Sequence, residues 1–373
     1  MASSIARFTR RDFGRAVGTG LSLSLGSRAL SSPRQSADEG RRIGYAIVGL
    51  GRISLGHFMP ACKMSKYSKV IALVSGHRDK AEKTAAEYGV STGNIFNYQN
   101  YEEIAGHKDI DAVYIALPNS MHAEYTIRAA KAGKHVLCEK PMCTSVREAE
   151  SMIEACKTAD KKLMIAYRCQ YEPTNLHAVQ LIGDGKLGKI QVIESANGFN
   201  IHPHEWRLDK KLAGGGPLMD VGIYSLNACR YLTGEEPVHV EGYSSVVDHD
   251  GRFEQVEENL SWTMTFPSGA VAACTTTYGA NTGGWCRVHG SKGSLTLDPA
   301  FAYQGIHLTT DIRGEPPVDD PEQAKDPAQF ATEADEFAQD ILQNRSVKAS
   351  GEEGLRDMKW MDAIYKSAGI TTA

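Results

Sequence analysis

The sequence lacks any stretch of about 18 consecutive apolar residues, so it offers no candidate for a membrane-spanning helix. It also lacks a Cys-x-x-Cys pair or any other cysteine spacing that suits zinc, which argues against a metal site. Its eight cysteines lie mostly within apolar patterns, and we expect free thiols. No low-complexity tract interrupts the 373 residues, of which 42% are hydrophobic, enough for the cores of two domains.

Acidic residues outnumber basic residues beyond the N-terminus. Residues 1–42 carry eight arginines, no lysine and three acids, a net charge of +5, whereas the remaining 331 residues carry −9. Binding to nucleic-acid phosphates takes a basic surface. This distribution of charge therefore argues against a nucleic-acid partner.

The N-terminus has the features of an export leader. Arg10 and Arg11 precede a mildly apolar segment rich in alanine, glycine, leucine and serine. This pattern is typical of twin-arginine signals, which export proteins already folded, often around a cofactor. We expect residues 1–30 to be the signal peptide, cleaved near Ala29, residues 31–42 to be an exposed arm, and the protein to be periplasmic. A basic amphipathic tail is the alternative interpretation.

An alternation of apolar strands and amphipathic helices over residues 43–167 predicts a doubly wound parallel sheet, the Rossmann type of α/β domain. Its first strand runs into Gly49-Leu50-Gly51, and Ser54 stands where a third glycine is usual. Two glycines permit a tight turn and let a pyrophosphate approach the next helix. We expect a dinucleotide site here, with a nucleotide-free Rossmann-like domain as the alternative. The further predicted strands are 70–74, 111–117, 135–138 and 163–167, and the predicted helices are 79–88, 123–132 and 145–159.

The end of the second strand lacks the acid that accepts a hydrogen bond from the ribose 2′-hydroxyl in NAD-binding folds. Ser75-Gly76-His77-Arg78 stands there instead, and Lys80 follows. A hydroxyl and two cations suit a 2′-phosphate, so the sequence favours NADP. The alternative for the two cations is a solvated helix start.

Two polar clusters are expected to face the cofactor. Glu139 and Lys140 directly follow a buried strand, which places Lys140 at the carboxyl edge of the sheet, beside the nicotinamide. Further along, three glycines and a proline precede Asp220 and Tyr224, whose spacing puts them on one face of a buried helix. A tyrosine that pairs with an acid in a packed core is the alternative for this second cluster.

These segments occur in an order that resembles a known family. The segments are Gly49-Leu-Gly, Leu117-Pro-Asn-Ser-x-His, Gly133-Lys-His-Val-x-Cys-Glu-Lys-Pro and Gly214-Gly-Gly-x-Leu-Met-Asp-x-Gly-Ile-Tyr. They resemble those of the family of glucose–fructose oxidoreductase, inositol dehydrogenase and rhizopine-catabolism proteins. The resemblance covers nearly all of the chain after the leader and includes Gly351-Glu-Glu-Gly.

The resemblance implies a catalytic role for Lys140, Asp220 and Tyr224. Tyr224 would take the proton of the C1 hydroxyl of a cyclic aldose, with its pKa lowered by Lys140. Asp220 would hold a sugar hydroxyl and orient the sugar. The motifs and the resemblance together predict the following cofactor contacts: Gly49, Gly51, Arg52, Ile53, Ser54, Ser75, Gly76, His77, Arg78, Lys80, Tyr98, Leu117, Asn119, His122, Glu139, Lys140, Arg168, Trp206, Arg207 and Tyr303.

Residues 168–373 are expected to form a second, α+β domain for substrate binding and oligomerisation. The alternation of apolar residues indicates a large, mostly antiparallel sheet with one face covered by helices and one face open. The family often dimerises through the open face, so the resemblance implies a homodimer or homotetramer. The predicted strands are 190–196, 238–247, 260–266, 270–278, 285–289 and 294–297, the predicted helices are 174–182, 333–343 and 353–368, and residues 315–327 are predicted to be a loop.

Three hypotheses for function follow. In the leading one, an enzyme with tightly bound NADP oxidises a cyclic aldose to an aldonolactone and reduces a second sugar, ketose or aldose, to an alditol. The second is a conventional NADP-dependent sugar or inositol dehydrogenase with exchangeable cofactor, which scarcity of NADP outside the cytoplasm disfavours. The third is a sugar-sensing protein without turnover, which the presence of Lys140, Asp220 and Tyr224 together disfavours.

Overall fold

The computed structural model of the protein describes residues 40–321 and 325–371, so the predicted export leader and most of the predicted arm lie outside the described residues. The strands are β1 (Ile43–Val48), β2 (Ser68–Val74), β3 (Ile95–Phe96), β4 (Ala112–Ile115), β5 (His135–Glu139), β6 (Leu163–Ala166), β7 (Ile190–Gly198), β8 (His239–Ser245), β9 (Asn259–Thr265), β10 (Val271–Thr277), β11 (Trp285–Gly290), β12 (Gly293–Leu297), β13 (His307–Ile312) and β14 (Asp319–Pro321). The helices are α1 (Met59–Met64), α2 (Arg78–Tyr88), α3 (His122–Lys131), α4 (Val146–Thr158), α5 (Pro173–Gly183), α6 (Lys210–Ala213), α7 (Ile223–Thr233), α8 (Ala328–Leu342) and α9 (Gly351–Ser367). Wider π-helical turns, Ser54–Phe58 and Leu218–Gly222, lead directly into α1 and α7.

The first six strands form one parallel sheet in the order β3-β2-β1-β4-β5-β6. All six residues of β1 are buried, as a strand covered by helices on both faces requires. The order in which successive strands are added to the sheet reverses between β1 and β4, and the carboxyl ends of strands at such a point border the ligand crevice of doubly wound folds. The predicted Rossmann sheet is confirmed.

The remaining eight strands form a second sheet in the order β14-β13-β12-β11-β7-β10-β9-β8. Every neighbouring pair is antiparallel except β7 and β10, which run parallel. Along β9, Leu260, Trp262 and Met264 are buried, while Ser261 and Thr263 are exposed. Alternation of this kind gives a sheet with one covered and one open face, which confirms the α/β fold class with a mostly antiparallel open sheet.

Three strands and one helix boundary differ from the sequence-based prediction. Residues 315–327, predicted as a loop, contain β14, which pairs with β13 through main-chain hydrogen bonds although its residues show no apolar alternation. β3 was not predicted, because a strand of two residues is too short to show an alternation of apolar and polar side chains. β13 was not predicted either. α8 begins at Ala328, five residues before the predicted start, and Phe330 on this first turn is buried against the ring of His57.

The cysteines of the protein are buried free thiols. All eight cysteines are buried and none forms a disulfide, although the Sγ atoms of Cys229 and Cys274 lie 3.7 Å apart. Within residues 40–321 and 325–371, no helix has both the length and the apolar character needed to cross a membrane.

A buried carboxylate anchors the turn that leads into α7. Glu257 accepts hydrogen bonds from the backbone N–H of Gly216 (2.9 Å) and Leu218 (3.3 Å) and from the hydroxyl of Tyr365 (2.8 Å). These N–H groups belong to a helix start, where they have no partner within the helix. Only glycine fits beside this anchor, because a Cβ on Gly215 would lie 2.2 Å from the Tyr365 hydroxyl oxygen.

We predict that Glu257→Gln destabilises the protein. The amide has one acceptor oxygen for three donors, so donors are left unsatisfied in the core, and we expect a loss of about 1–3 kcal/mol in unfolding free energy. Urea denaturation followed by circular dichroism measures this loss. The exposed neighbour Glu254→Gln is the matched control. Equal stability of the two variants would contradict the anchoring role.

Candidate active site

The turn after β1 has the shape of a dinucleotide cradle. Gly49 has φ +93°, and a Cβ there would lie 2.5 Å from the carbonyl oxygen of Ala116, so only glycine fits. Gly51 is exposed, with no atom within 4 Å of the position a Cβ would take. Ser54 is buried and donates to the carbonyl oxygen of Gly49 (2.6 Å), so its hydroxyl closes the turn. These features fit a pyrophosphate that approaches the backbone closely.

The end of β2 offers a polar surface for a ribose or its phosphate. The Ser75 hydroxyl accepts from the backbone N–H of His77 (3.1 Å) and is nearly buried, while Gly76, His77 and Lys80 are exposed. Arg78 is partly engaged within the protein, since its Nε lies 2.8 Å from Glu82. Lys80 forms no ion pair among the described residues. The predicted 2′-phosphate contacts therefore differ in availability, with Lys80 the more available cation.

The residues after β4 shape the crevice mainly through anchoring contacts. The buried His122 ring lies 2.9 Å from the carbonyl oxygens of both Leu117 and Pro141, and burial lowers its pKa. The Asn119 side chain donates to the carbonyl oxygen of Ala213 (2.8 Å). These contacts tie the ends of β4 and β5 to the segment that precedes α7. Tyr98 is half-buried, with its ring against that of Tyr125.

Lys140, Asp220 and Tyr224, the three predicted catalytic residues, meet at the carboxyl end of β5. Lys140 Nζ donates to the carbonyl oxygen of Asp220 (2.6 Å) and lies 3.3 Å from its Oδ1. The same amine lies 4.7 Å from the ring centre of Tyr224. The preceding residue, Glu139, is partly buried and accepts a hydrogen bond from the Tyr114 hydroxyl (2.5 Å), and desolvation raises the pKa of Glu139.

Asp220 is held as a carboxylate in a mostly buried position. Its Oδ2 lies 2.9 Å from Nε of Arg207 and accepts a hydrogen bond from the Tyr278 hydroxyl (3.0 Å). Burial opposes ionisation, but Lys140, Arg207 and this hydrogen bond outweigh it and hold the pKa of Asp220 below its ordinary value. An ionised carboxylate of this kind can orient a ligand hydroxyl by accepting its hydrogen bond.

Tyr278 contacts the predicted catalytic residue Asp220 but was not itself predicted to belong to the site. It is buried and follows the end of β10, 58 residues after its partner Asp220. The sequence placed it only as the last residue of a strand. Its position directly before Gly279, at the end of a strand, was the one signal available.

The pKa of Tyr224 is raised, contrary to the expectation that Lys140 would lower it. Burial is the main cause, and Arg168 opposes it. The Lys140 amine is engaged by Asp220 and faces the ring of Tyr224. The Tyr224 hydroxyl is therefore protonated near neutral pH.

Arg168 lies between two tyrosines beneath the crevice. Its guanidinium donates to the carbonyl oxygens of Phe301 (2.6 Å) and Ala302 (2.9 Å) and to Oε1 of Gln329 (2.6 Å). The guanidinium carbon lies 4.9 Å from the ring centre of Tyr224 and 4.5 Å from that of Tyr303. Its rigid attachment to α8 and to the segment after β12 gives Tyr224 a fixed cationic neighbour.

The ion pair of Arg52 with Glu205 bridges the crevice between the two sheets. Arg52 leaves the glycine turn after β1, and its Nη2 lies 2.9 Å from both carboxylate oxygens of Glu205. Glu205 immediately precedes Trp206 and Arg207, whose guanidinium lies 4.8 Å from the Trp206 ring centre. Ile53, also expected near the cofactor, packs beside the small cluster that contains Phe330. The ion pair connects Arg52, a predicted cofactor residue of the first domain, with the residue that precedes Trp206 and Arg207, two predicted cofactor residues of the second. Glu205 itself was not predicted.

The family models settle which group of proteins this chain represents. A model described as an oxidoreductase family with an NAD-binding Rossmann fold matches residues 43–167, and the C-terminal domain model of the same family matches residues 175–296. The chain belongs to the Gfo/Idh/MocA oxidoreductase family.

Among the residues that the structure describes, no group of three or more histidine, cysteine, aspartate or glutamate side chains could hold a metal ion.

Named relatives agree with this membership. The chain is 33% identical to D-xylose 1-dehydrogenase [NADP(+)] of Haloarcula marismortui, over 87% of this chain and 90% of the relative. It is 42% identical to the crystal structure of an aldose-aldose oxidoreductase from Caulobacter crescentus, with a TM-score of 0.85 and coverage of 88% and 98% of the two chains. A 3-ketoreductase from Actinomadura kijaniata in complex with NADP, at 24% identity and a TM-score of 0.75 with the same coverage, is similar in fold.

We predict that Glu205→Gln speeds the release of the reduced nicotinamide nucleotide. The ion pair with Arg52 is largely exposed, so its loss should raise the dissociation rate only about two- to five-fold, and the difference should shrink at high salt. Stopped-flow fluorescence of the reduced nucleotide, displaced by an excess of its oxidised form, measures the rate. Arg52→Gln should show the same change without adding to it in the double variant. Additive effects would show that the two side chains act separately.

Proposed function

We propose that this family member is an NADP-containing sugar oxidoreductase of the aldose-aldose type. It oxidises C1 of a cyclic aldose to an aldonolactone and reduces a second sugar, a ketose or an aldose, to an alditol. NADP, held by the glycine turn after β1 and by the end of β2, would serve as hydride acceptor for the first sugar and, once reduced, as hydride donor for the second. The observation that carries the proposal is the convergence of Lys140, Asp220 and Tyr224 at the crevice edge of the Rossmann sheet.

Sugars are the substrate class that the names of the relatives favour and that the polar side chains of the site can bind. The relatives at 42% and 33% identity are named for aldose and D-xylose oxidoreduction. The ionised Asp220 would accept from one sugar hydroxyl, and Arg207 beside it would donate to a sugar oxygen. Lys140 fixes Asp220 through two contacts, so its main effect is to hold the acceptor in place.

Tyr224 would handle the proton of the reacting hydroxyl. Because burial keeps the phenol protonated, Tyr224 can accept this proton only as it passes its own proton on. When the second sugar is reduced, the same hydroxyl donates a proton to the carbonyl oxygen. Arg168, 4.9 Å from the ring, would stabilise negative charge that develops on the tyrosine oxygen.

NADP rather than NAD is the cofactor that the end of β2 favours. Ser75 and Lys80 would contact a 2′-phosphate, and no carboxylate stands at Ser75 or Gly76 to repel it. We further propose that the Arg10-Arg11 leader exports the folded protein, with its cofactor, to the periplasm. There, retention of the cofactor would replace exchange with a free pool.

The open face of the second sheet is the proposed surface for a homodimer or homotetramer. Val192 on β7 and Val271 on β10 lie side by side on this face and are both exposed. Neighbouring apolar side chains on an uncovered sheet favour burial against a second copy.

A conventional dehydrogenase with exchangeable cofactor is the second candidate. The observation in its favour is the exposed ion pair of Arg52 and Glu205, with 81% of the Arg52 side chain accessible. Such a pair holds the crevice closed only weakly. Relatives named D-xylose 1-dehydrogenase and inositol 2-dehydrogenase are similar over 87% of this chain.

One experiment separates the two candidates. Nucleotide is released from the purified protein by denaturation and identified, and native protein is then given pairs of sugars without added cofactor. Bound NADP, together with equal amounts of lactone and alditol, would support the proposal. An empty protein that turns over only with added NADP would support the second candidate. No oxidation of any aldose, with or without NADP, would overturn both.

We predict that Tyr224→Phe keeps NADP bound and loses most turnover. The variant removes the hydroxyl that exchanges a proton with the sugar, and a general acid–base group contributes roughly 10²- to 10⁴-fold. Retained nucleotide is measured after gel filtration, and turnover by product formation from sugar pairs. Near-normal turnover in the variant would contradict the assignment of Tyr224.

A further inference from the structure

A cavity of about 390 Å³ opens in the second domain, between the end of β8, the loop 246–257 and the end of α9. Binding sites for small molecules have volumes of about 300–1,000 Å³, so this cavity is large enough for a ligand. None of the residues that line it is a predicted catalytic or cofactor residue. The proposed function therefore leaves the cavity unexplained.

A layer of apolar side chains lies between this cavity and the crevice. Phe253 and Val256 line the cavity, are buried, and form a small cluster with Ile201 and Tyr278. The hydroxyl of Tyr278 donates to Asp220 (3.0 Å), so Tyr278 belongs to the crevice side of the layer. A molecule in the cavity is thus kept apart from the predicted catalytic residues.

Charged side chains hold the loop 246–257 in place. Arg252 donates to the backbone carbonyl oxygen of Ile201 (2.9 Å) and pairs with Asp248 (2.6 Å). Glu258, at the end of the loop, accepts from the backbone N–H of Asp248 (2.8 Å). Because these contacts come from the protein alone, the cavity keeps its shape without a ligand, as sites for small molecules usually do.

The floor of the cavity consists of polar groups that already have partners. Glu257 accepts from the Tyr365 hydroxyl (2.8 Å) and from two backbone N–H groups of the turn before α7. Gly215 in this turn lines the floor beside them. Recognition of a ligand therefore falls to the side walls and the rim.

The side walls and the rim offer polar groups that have no partner. Ser244 lies on the same face of β8 as Gly242, which packs on α9, and its hydroxyl forms no hydrogen bond within the described part of the chain. The carboxylate of Glu254, an exposed residue, likewise forms no ion pair there. Exposed Gln255 uses only its side-chain oxygen, in a long contact with the backbone N–H of Lys210 (3.4 Å).

The charges at the cavity favour a neutral ligand with several hydroxyl groups. Lys210 Nζ donates to the carbonyl oxygen of Thr371 (2.8 Å), which leaves two of its three N–H groups available. This cation and the Glu254 carboxylate balance each other, so a ligand with a net charge is repelled by one of them. Hydroxyl groups suit both, because they donate to a carboxylate and accept from an amine. Phe253 adds an apolar wall for C–H groups.

We propose that this cavity is a second binding site, separate from the active site, for a neutral polyhydroxylated molecule. The ligand is a sugar, its alditol or its lactone. Ser244, Glu254, Gln255 and Lys210 bind its hydroxyl groups, and Phe253 contacts its carbon skeleton. The proposal goes beyond the proposed function and does not rest on it, since it concerns binding and no chemical step.

The test places a fluorescent label at the rim of the cavity. Val246 lines the cavity and is 40% exposed, and Val246→Cys can be labelled selectively because all eight native cysteines are buried. The labelled full-length protein is titrated separately with D-xylose, xylitol and D-xylonolactone, which distinguishes aldose, alditol and lactone. Glycine, a neutral zwitterion without hydroxyl groups, is a fourth titrant. We expect a saturable change in fluorescence with at least one of the three polyols and none with glycine.

Variants of the labelled protein locate the binding. Glu254→Ala removes a charged acceptor, so we expect the Kd of the polyol to rise about ten-fold. Glu241→Ala is the matched control, because Glu241 is an exposed acid on the opposite face of β8 from Ser244, and it should leave the Kd unchanged. Asp220→Asn, which alters the active site, should also leave the Kd at the label unchanged.

The opposite pattern would overturn the second site. If Asp220→Asn abolishes the response and Glu254→Ala preserves it, the label senses the active site. The absence of a saturable response to all three polyols, or an equal response to glycine, would also contradict the proposal. These outcomes leave the proposed function standing. A protein whose label responds as expected but which oxidises no aldose would keep the second site and overturn the proposed function.

Discussion

The contact between Lys140 and Asp220 is the interaction on which the rest of the site depends. Lys140 leaves the parallel sheet at the end of β5, and Asp220 lies in the helical turn before α7, which packs on the second sheet. A mostly buried ion pair is stable only when further hydrogen bonds compensate for lost hydration. At the other carboxylate oxygen, the Tyr278 hydroxyl provides such a hydrogen bond and Arg207 adds a second ion pair. The pair thus aligns two domains and keeps an ionised acceptor at their boundary.

The same contact explains why the environment of Tyr224 differs from a simple activated tyrosine. The amine of Lys140 contacts the carbonyl and carboxylate oxygens of Asp220 and lies over the ring of Tyr224, 4.7 Å from its centre. Burial then dominates, and it favours the neutral phenol. A neutral phenol can act in both directions, because it donates to a carbonyl oxygen and accepts from a hydroxyl. This property suits the proposed reaction, in which one site both oxidises and reduces.

Sequence periodicity was sufficient for the parallel sheet, since strands buried on both faces appear as short apolar runs between helices. Lys140, Asp220 and Tyr224 could also be predicted, because each lies in a local motif or at helical spacing. Tyr278 and Glu205 could not, since their partners lie 58 and 153 residues away and nothing local marks those contacts. Strands such as β3 and β14 depend on pairing with a neighbour and carry no period of their own.

The residues that would bind the cofactor come mainly from the parallel sheet, whereas the residues that would select the substrate come from the second domain. The glycine turn and Lys140 come from the buried sheet, where a change in backbone position would disturb the core. Arg207 comes from a partly exposed segment, so it can be altered with less cost to packing than Tyr278, which is buried. A change at Arg207 leaves the contacts of Lys140 and Tyr278 with Asp220 in place, so one reaction chemistry can serve different sugars. Substrate preference can therefore diverge at the rim of the crevice while the redox centre stays the same.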